Sequence, residues 1–125
     1  MGKKHSHRFL KIVEAARKHV RECTVHDVKQ KLDAGETMHL IDVREDNEWV
    51  KSRLPHAKHL GKGVIERDIE VAIPDVRAPI VLYCGGGYRS ALAAEALGRM
   101  GYENVVSMDG GFRGWQEAGY PVEKE

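Results

Sequence analysis

The sequence predicts a single α/β domain built on a largely parallel sheet, and three observations predict it. Short apolar runs of strand length, at residues 38–43, 80–83 and 105–108, alternate with segments whose apolar residues recur at helical spacing. Each run opens into a charged or glycine-rich turn ahead of a helical segment, "DVRE", "CGGGYRS" and "DGG", which is the arrangement of βα units. At 125 residues the chain is long enough to bury one core without disulfide or metal staples.

The elements follow in order. Phe9, Ile12, Val13, Ala16 and Val20 recur at helical spacing and predict an amphipathic helix over residues 8–20. Thr24, with Asp27 three residues on, signals a capped helix over 25–34 that Gly35 ends. A short strand is weakly signalled just before Thr24. The run 38–43 reads as a buried strand that delivers charge at its carboxyl end. Asp46 can cap a short helix through Glu48, Trp49 and Val50. Residues 54–60 then read as a brief strand and 63–70 as another short helix. Pro74 and Pro79 bracket a loop before the clearest strand, 80–83. Strong helix formers fill 90–100 before the stop at Gly101, 105–108 is one more strand, and 112–118 is a final helix.

Twenty basic and nineteen acidic residues leave a formal charge of +1, so no global field argues for a nucleic-acid partner. The basic excess is local: Lys3, Lys4, Arg8, Lys11, Arg17, Lys18 and Arg21 stand against Glu14 alone and read as a solvated helix face. No apolar run approaches a membrane span and no signal-peptide pattern opens the chain, so a cytoplasmic location with no membrane partner is expected. Met1 to Ser6 fits the N-myristoylation pattern, but that pattern is short and permissive, and lipidation of Gly2 is not the expected reading. His5 and His7 read as solvated there. Two distant cysteines, Cys23 and Cys84, are expected as reduced thiols.

Cys84 is in unusual company. Parallel sheets bind ligands beyond the carboxyl ends of their strands, and Cys84 falls at such an end. Three glycines follow it, Gly85, Gly86 and Gly87, which let the backbone curl close around the sulfur and aim its N–H groups there. A thiolate in such a nest is stabilised relative to the thiol, and the thiolate is the nucleophile. Arg89 adds a permanent cation with a forked set of donors. The bland alternative is a glycine-rich turn with an incidental cysteine. Nucleotide binding would need GxGxxG spacing or a P-loop lysine, a metal site would need ligands at spacing from Cys84, and a redox pair would need a second cysteine nearby. None is present, so no cofactor and no metal is expected, and a cysteine nucleophile acting on an anionic substrate is the favoured reading.

The string "LYCGGGYRSALAAEALGRMGYENVVSMDGGFRGWQEAGYPVE", with "LPHAKHLGKGVIE" and "LIDVREDNEW" upstream, resembles single-domain rhodanese-like sulfurtransferases from about residue 24 to residue 122. The resemblance implies a three-layer domain with a five-stranded, mostly parallel sheet flanked by helices. It occupies 24–125, with 1–23 as a basic, amphipathic helical extension. The resemblance also implies that Cys84 takes a sulfane sulfur from a small anionic donor such as thiosulfate, becomes a persulfide, and passes the sulfur to cyanide or a thiol, or to a protein acceptor. Gly85, Gly86, Gly87, Tyr88 and Arg89 would form the loop that holds it. Tyr88 would shape the pocket mouth, and Arg89 would either attract the donor's sulfonate or stabilise charge in the loop. Asp42 and Arg44 would be structural support, and Ser90 is read as the cap of the following helix. Asp109, Gly110 and Gly111 look like the family's turn into a last helix whose Trp115 is core.

Two positions depart from the family pattern: in "SRLPHA", Ser52 and His56 stand where glycines are usual. His56 and His59 read as surface residues, and Cys23 as a small buried thiol rather than an internal sulfur acceptor. Four residues separate Cys84 from Arg89, whereas the related phosphatases place five between cysteine and arginine. The shorter cradle suits a single sulfur better than a phosphate. A persulfide carrier that docks to a partner protein is the alternative to free turnover, and an arsenate reductase or phosphatase-like enzyme is a more distant one.

Overall fold

The computed structural model describes residues 5–124. The start of the N-myristoylation pattern, at Met1 and Gly2, lies outside the described residues. The element order is α1 (His7–Arg17), β1 (Arg21–Cys23), α2 (Val25–Asp33), β2 (His39–Asp42), α3 (Asp46–Trp49), β3 (Ser52–Arg53), β4 (Lys58–His59), α4 (Ile65–Ala72), β5 (Ile80–Tyr83), α5 (Tyr88–Arg99), β6 (Val105–Met108), α6 (Gly111–Glu117) and β7 (Glu123–Lys124). Strands β1, β6, β5, β2 and β4 hydrogen-bond in that order, and every pair is parallel. This is the α/β architecture with a five-stranded central sheet that the sequence predicts.

The helices cover both faces because the central strands are apolar on both. Successive strand residues point to opposite sides. Ile41, Leu82 and Cys84 therefore join a core with Ile65 and Ile69 of α4 and Ala93 and Leu97 of α5. Leu40, Val81 and Tyr83 join another with Val28 of α2, Met108, Phe112 and Trp115. Each large apolar side chain fully buried there contributes about 1.5–3 kcal/mol of transfer free energy. The sheet itself reaches upstream of residue 24, since β1 pairs with β6 in the register Cys23 to Met108. Helix α1 lies against α5 and buries Val13 and Ala16.

Several boundaries differ from expectation for local physical reasons. Thr24 and Asp27 do form a reciprocal capping box, with both hydrogen bonds at 3.0 Å. The expected strand over 54–60 shrinks to Lys58–His59, and Ser52–Arg53 instead pairs antiparallel with Glu123–Lys124 in a separate two-stranded ribbon. His56 sits at φ 66, the only described non-glycine residue with positive φ. The turn thus keeps a conformation that favours glycine although this chain supplies histidine there. Helix α5 begins at Tyr88, two residues before the predicted start, because Gly87 at φ 106 turns the chain directly into it.

Candidate active site

Strand β5 carries Cys84 just past its carboxyl end, beneath the loop that leads into α5. The side chain is 1% exposed. The N–H of Gly87 donates to Sγ at 3.1 Å and the N–H of Ser90 at 3.4 Å, while Ser90 Oγ lies 3.6 Å away. These donors all come from the loop and the first turn of α5. The two backbone N–H groups point at the sulfur, which accepts from both.

Ser90 is not the helix cap. Gly87 occupies that position, and Ser90, in the first turn of α5, turns its hydroxyl inward to Ser107 Oγ at 2.8 Å. The reason is the early helix start: it places Ser90 on the buried side of the first turn instead of at its entrance. Gly87 must be glycine on two counts. Its φ is 106, and a Cβ there would stand 3.2–3.3 Å from Asp109 and the Gly110 nitrogen.

Arg89 bends toward α3, where Nη1 and Nη2 meet the Glu48 carboxylate at 2.8 and 3.2 Å. That paired hydrogen bond holds the Glu48 carboxyl below its ordinary value and raises the Arg89 guanidinium above its own. Of the two roles that sequence leaves open for Arg89, this geometry favours stabilising the loop.

Asp42 and Arg44 form a buried brace. Asp42 is 0% exposed and accepts from Arg44 Nε and Nη2 at 2.8–3.1 Å. Arg44 also donates to the Ser52 carbonyl at 2.7 Å and lies 4.2 Å from the centre of the Phe112 ring. Phe112 in turn donates its N–H to the Cys84 carbonyl at 2.8 Å, so the brace ends on the nucleophile's own backbone. Neither Asp42 nor Arg44 borders the cleft that contains Cys84.

That cleft has a volume of about 840 Å3 and is bordered by Glu45, Asn47 and Glu48, by the Cys84 loop with Tyr88 and Arg89, and by Arg113. Its remaining wall, among the described residues, is His5 and Phe9. The His5 ring lies 4.7 Å from that of Tyr88, Phe9 lies 6.2 Å from it, and the Arg17 guanidinium stands 5.0 Å from the Tyr88 centroid. His5 is thus not a free terminal residue. Arg17 likewise leaves the expected solvated face, pairing with Glu22 and Asp109 at 3.2 and 3.3 Å.

The other candidates lie apart. His59 stacks on Trp49 and shares a 2.8 Å hydrogen bond with the Arg44 carbonyl, outside the Cys84 cleft. Cys23 is half-buried on β1, packed with Tyr83 and Met108 on the sheet face opposite Cys84. Both cysteines are free thiols. Among the described residues no three His, Cys, Asp or Glu side chains form a metal-holding group, and no helix is long and apolar enough to cross a membrane.

Sequence reasoning missed Glu48, Ser107, Arg113 and the pair His5 and Phe9. Only Arg113 carried a signal, since it follows the Gly110-Gly111 pair that marks a close backbone approach. A Cβ on Gly111 would come 2.5 Å from the Cys84 carbonyl oxygen, so the first turn of α6 rests directly on the loop.

Residues 24–118 match the family described as Rhodanese-like domain. The chain is 34% identical over 85 residues to "Thiosulfate sulfurtransferase GlpE" of Vibrio cholerae, covering 68% of this chain and 78% of that protein. It is 29% identical over 96 residues to "Putative sulfur carrier protein YrkF" of Bacillus subtilis, covering 77% of this chain and 51% of YrkF, so it spans about half the length of that relative. A solved structure from Rhodopseudomonas palustris, described as "Protein of Unknown Function RPA3614, Possible Tyrosine Phosphatase", superposes with a TM-score of 0.84 at 26% identity. That match covers 98% of this chain and 99% of the other. Matched by that family over residues 24–118, which is most of its length, this chain belongs to the rhodanese-like domain family.

Proposed function

We propose that this protein is a sulfurtransferase that moves sulfane sulfur from an anionic donor such as thiosulfate, through a persulfide on Cys84, to a thiophilic acceptor such as cyanide or a thiol. The observation that carries the reading is the Cys84 sulfur, held by the Gly87 and Ser90 N–H groups on the floor of an open cleft. The similarity to GlpE supports thiosulfate as the donor.

In the first step the Cys84 thiolate attacks the outer sulfur of thiosulfate. A new S–S bond forms, and the S–S bond of the donor breaks with its electron pair leaving on sulfite. The persulfide keeps one negative charge, which the loop N–H groups and Arg89 offset. In the second step cyanide or a thiolate attacks the terminal sulfur, and the electron pair of the broken bond returns to Cys84 as thiolate. Gly85, Gly86, Gly87, Tyr88 and Arg89 form the binding loop in this scheme, with Asp42, Arg44 and Ser90 supporting it. The cycle needs Cys84 as a free thiol, which fits the reducing cytoplasm.

The test is the intact mass of wild type and Cys84→Ser after brief incubation with thiosulfate, followed by cyanide. Wild type alone gains the mass of one sulfur and loses it to cyanide. Equal gain by both proteins would remove Cys84 from the reaction. The name of YrkF favours a second reading, a carrier that passes its sulfur to a partner protein. Slow release to cyanide after rapid loading would select it. The description of RPA3614 raises phosphatase chemistry, which hydrolysis of an aryl phosphate would reveal. The four residues between Cys84 and Arg89, one fewer than in the related phosphatases, argue against that reading.

A further inference from the structure

Two arginines border the Cys84 cleft, and they differ in what surrounds them. Arg89 is engaged by Glu48 through both terminal nitrogens. Arg113 has its backbone N–H fixed to the Gly85 carbonyl at 3.0 Å, which seats its Cα against the loop. Its exposed guanidinium lies over Gly86, where a Cβ would stand 3.4 Å from Nη1 and 3.9 Å from Nη2. Among the described residues Arg113 takes part in no ion pair. The α3 side of the cleft is acidic, with Glu45 and Glu48, so the uncompensated positive charge lies on the α6 side alone.

We propose that Arg113 is the anion anchor of this site. It holds the sulfonate oxygens of an S-sulfonate donor, thiosulfate or an organic thiosulfonate, while the outer sulfur reaches Cys84 Sγ. The inference rests on the sulfurtransferase reading for the identity of the donor and extends it by naming the residue that selects for charge. A planar fork of donors matches the oxygens of a sulfonate, and a guanidinium without a protein partner has its donors available for one. Gly86 belongs to the same device: a Cβ there would come into van der Waals contact with the guanidinium, so a larger side chain would compete with it for the space over the loop. Arg89 then serves the nucleophile and Arg113 the donor.

The experiment compares wild type, Arg113→Gln and Arg113→Lys in two reactions, each read by mass spectrometry at Cys84. The first is sulfur loading from thiosulfate. Arg113→Gln should lower the loading rate at subsaturating thiosulfate by about ten- to a hundredfold, the range for loss of a charged hydrogen-bond partner, and Arg113→Lys should recover part of it. The second is alkylation by iodoacetate and by iodoacetamide, reagents that differ in charge and hardly in shape. The ratio of the iodoacetate rate to the iodoacetamide rate should fall severalfold in Arg113→Gln. A role confined to holding the loop would change both rates together and leave the ratio alone, and an unchanged ratio would overturn the proposal. If wild type does not load from thiosulfate but the ratio falls, the anion anchor stands and the proposed donor is wrong.

Discussion

Ser107 and Ser90 share a hydroxyl hydrogen bond of 2.8 Å, and neither residue has any exposed surface. The pair ends on Cys84, whose Sγ lies 3.6 Å from Ser90 Oγ. When the sulfur is a thiolate it can only accept, so Ser90 donates to it and Ser107 donates to Ser90. A buried relay with one direction orients a hydroxyl at the nucleophile without placing a charge there.

Removing the nearer hydroxyl should therefore matter more than removing the farther one. Ser90→Ala is expected to slow sulfur loading of Cys84 by about tenfold or more, the effect of losing one hydrogen bond to an anion. Ser107→Ala leaves the Ser90 hydroxyl free to donate, so its loss should stay below about tenfold. Rapid-quench mass spectrometry of both variants measures this. A larger loss in Ser107→Ala would show that the relay runs differently.

Gly111→Ala should damage loop and fold together. Its φ is 57, and the added methyl would meet the Cys84 carbonyl oxygen at 2.5 Å and the Gly85 carbonyl group at 2.7 Å, all backbone atoms that cannot rotate away. A destabilisation of about 1–3 kcal/mol is expected from urea unfolding, with loss of sulfur transfer. Gly114→Ala is the control. Its nearest neighbour is a Val25 methyl at 3.5 Å, so it should leave stability equal or slightly higher.

The Glu48–Arg89 contact predicts a pH window. Arg89 holds the Glu48 carboxyl below its ordinary value of 4.5. A carboxyl with a depressed folded value contributes stability that is fully present above the ordinary value and is lost as pH falls through the folded one. The Tm difference between wild type and Glu48→Gln should thus hold steady from neutral pH down to about 4.5 and narrow below it. Narrowing on the alkaline side instead would contradict the assignment.

Cys23 should stay silent where Cys84 reacts. Burial, with Asp27 next in effect, pushes its thiol up to about 11. At neutral pH iodoacetamide should label Cys84 in peptide maps and leave Cys23 largely unmodified, with Cys23 labelling rising only toward strongly alkaline pH. Cys23→Ala should transfer sulfur at the wild-type rate. A slower second step in that variant would make Cys23 an internal acceptor after all.

Local pattern alone determined the fold class, the strands at His39–Asp42, Ile80–Tyr83 and Val105–Met108, and the choice of Cys84 as candidate nucleophile. Those features are legible because the period of apolar residues and the glycine run that follows the cysteine are properties of contiguous sequence. The ribbon of Ser52–Arg53 with Glu123–Lys124 was not legible, since two-residue strands have no period to read. Tertiary structure decided who meets whom at the site. Glu48 reaches Arg89 across 41 positions and Ser107 reaches Ser90 across 17. His5 and Phe9 become cleft walls only because α1 packs on α5. Cys23 and Cys84 are separated by strand parity, which directs side chains of neighbouring register to opposite faces of one sheet. Such pairings depend on how elements stack, and stacking is set by the whole core.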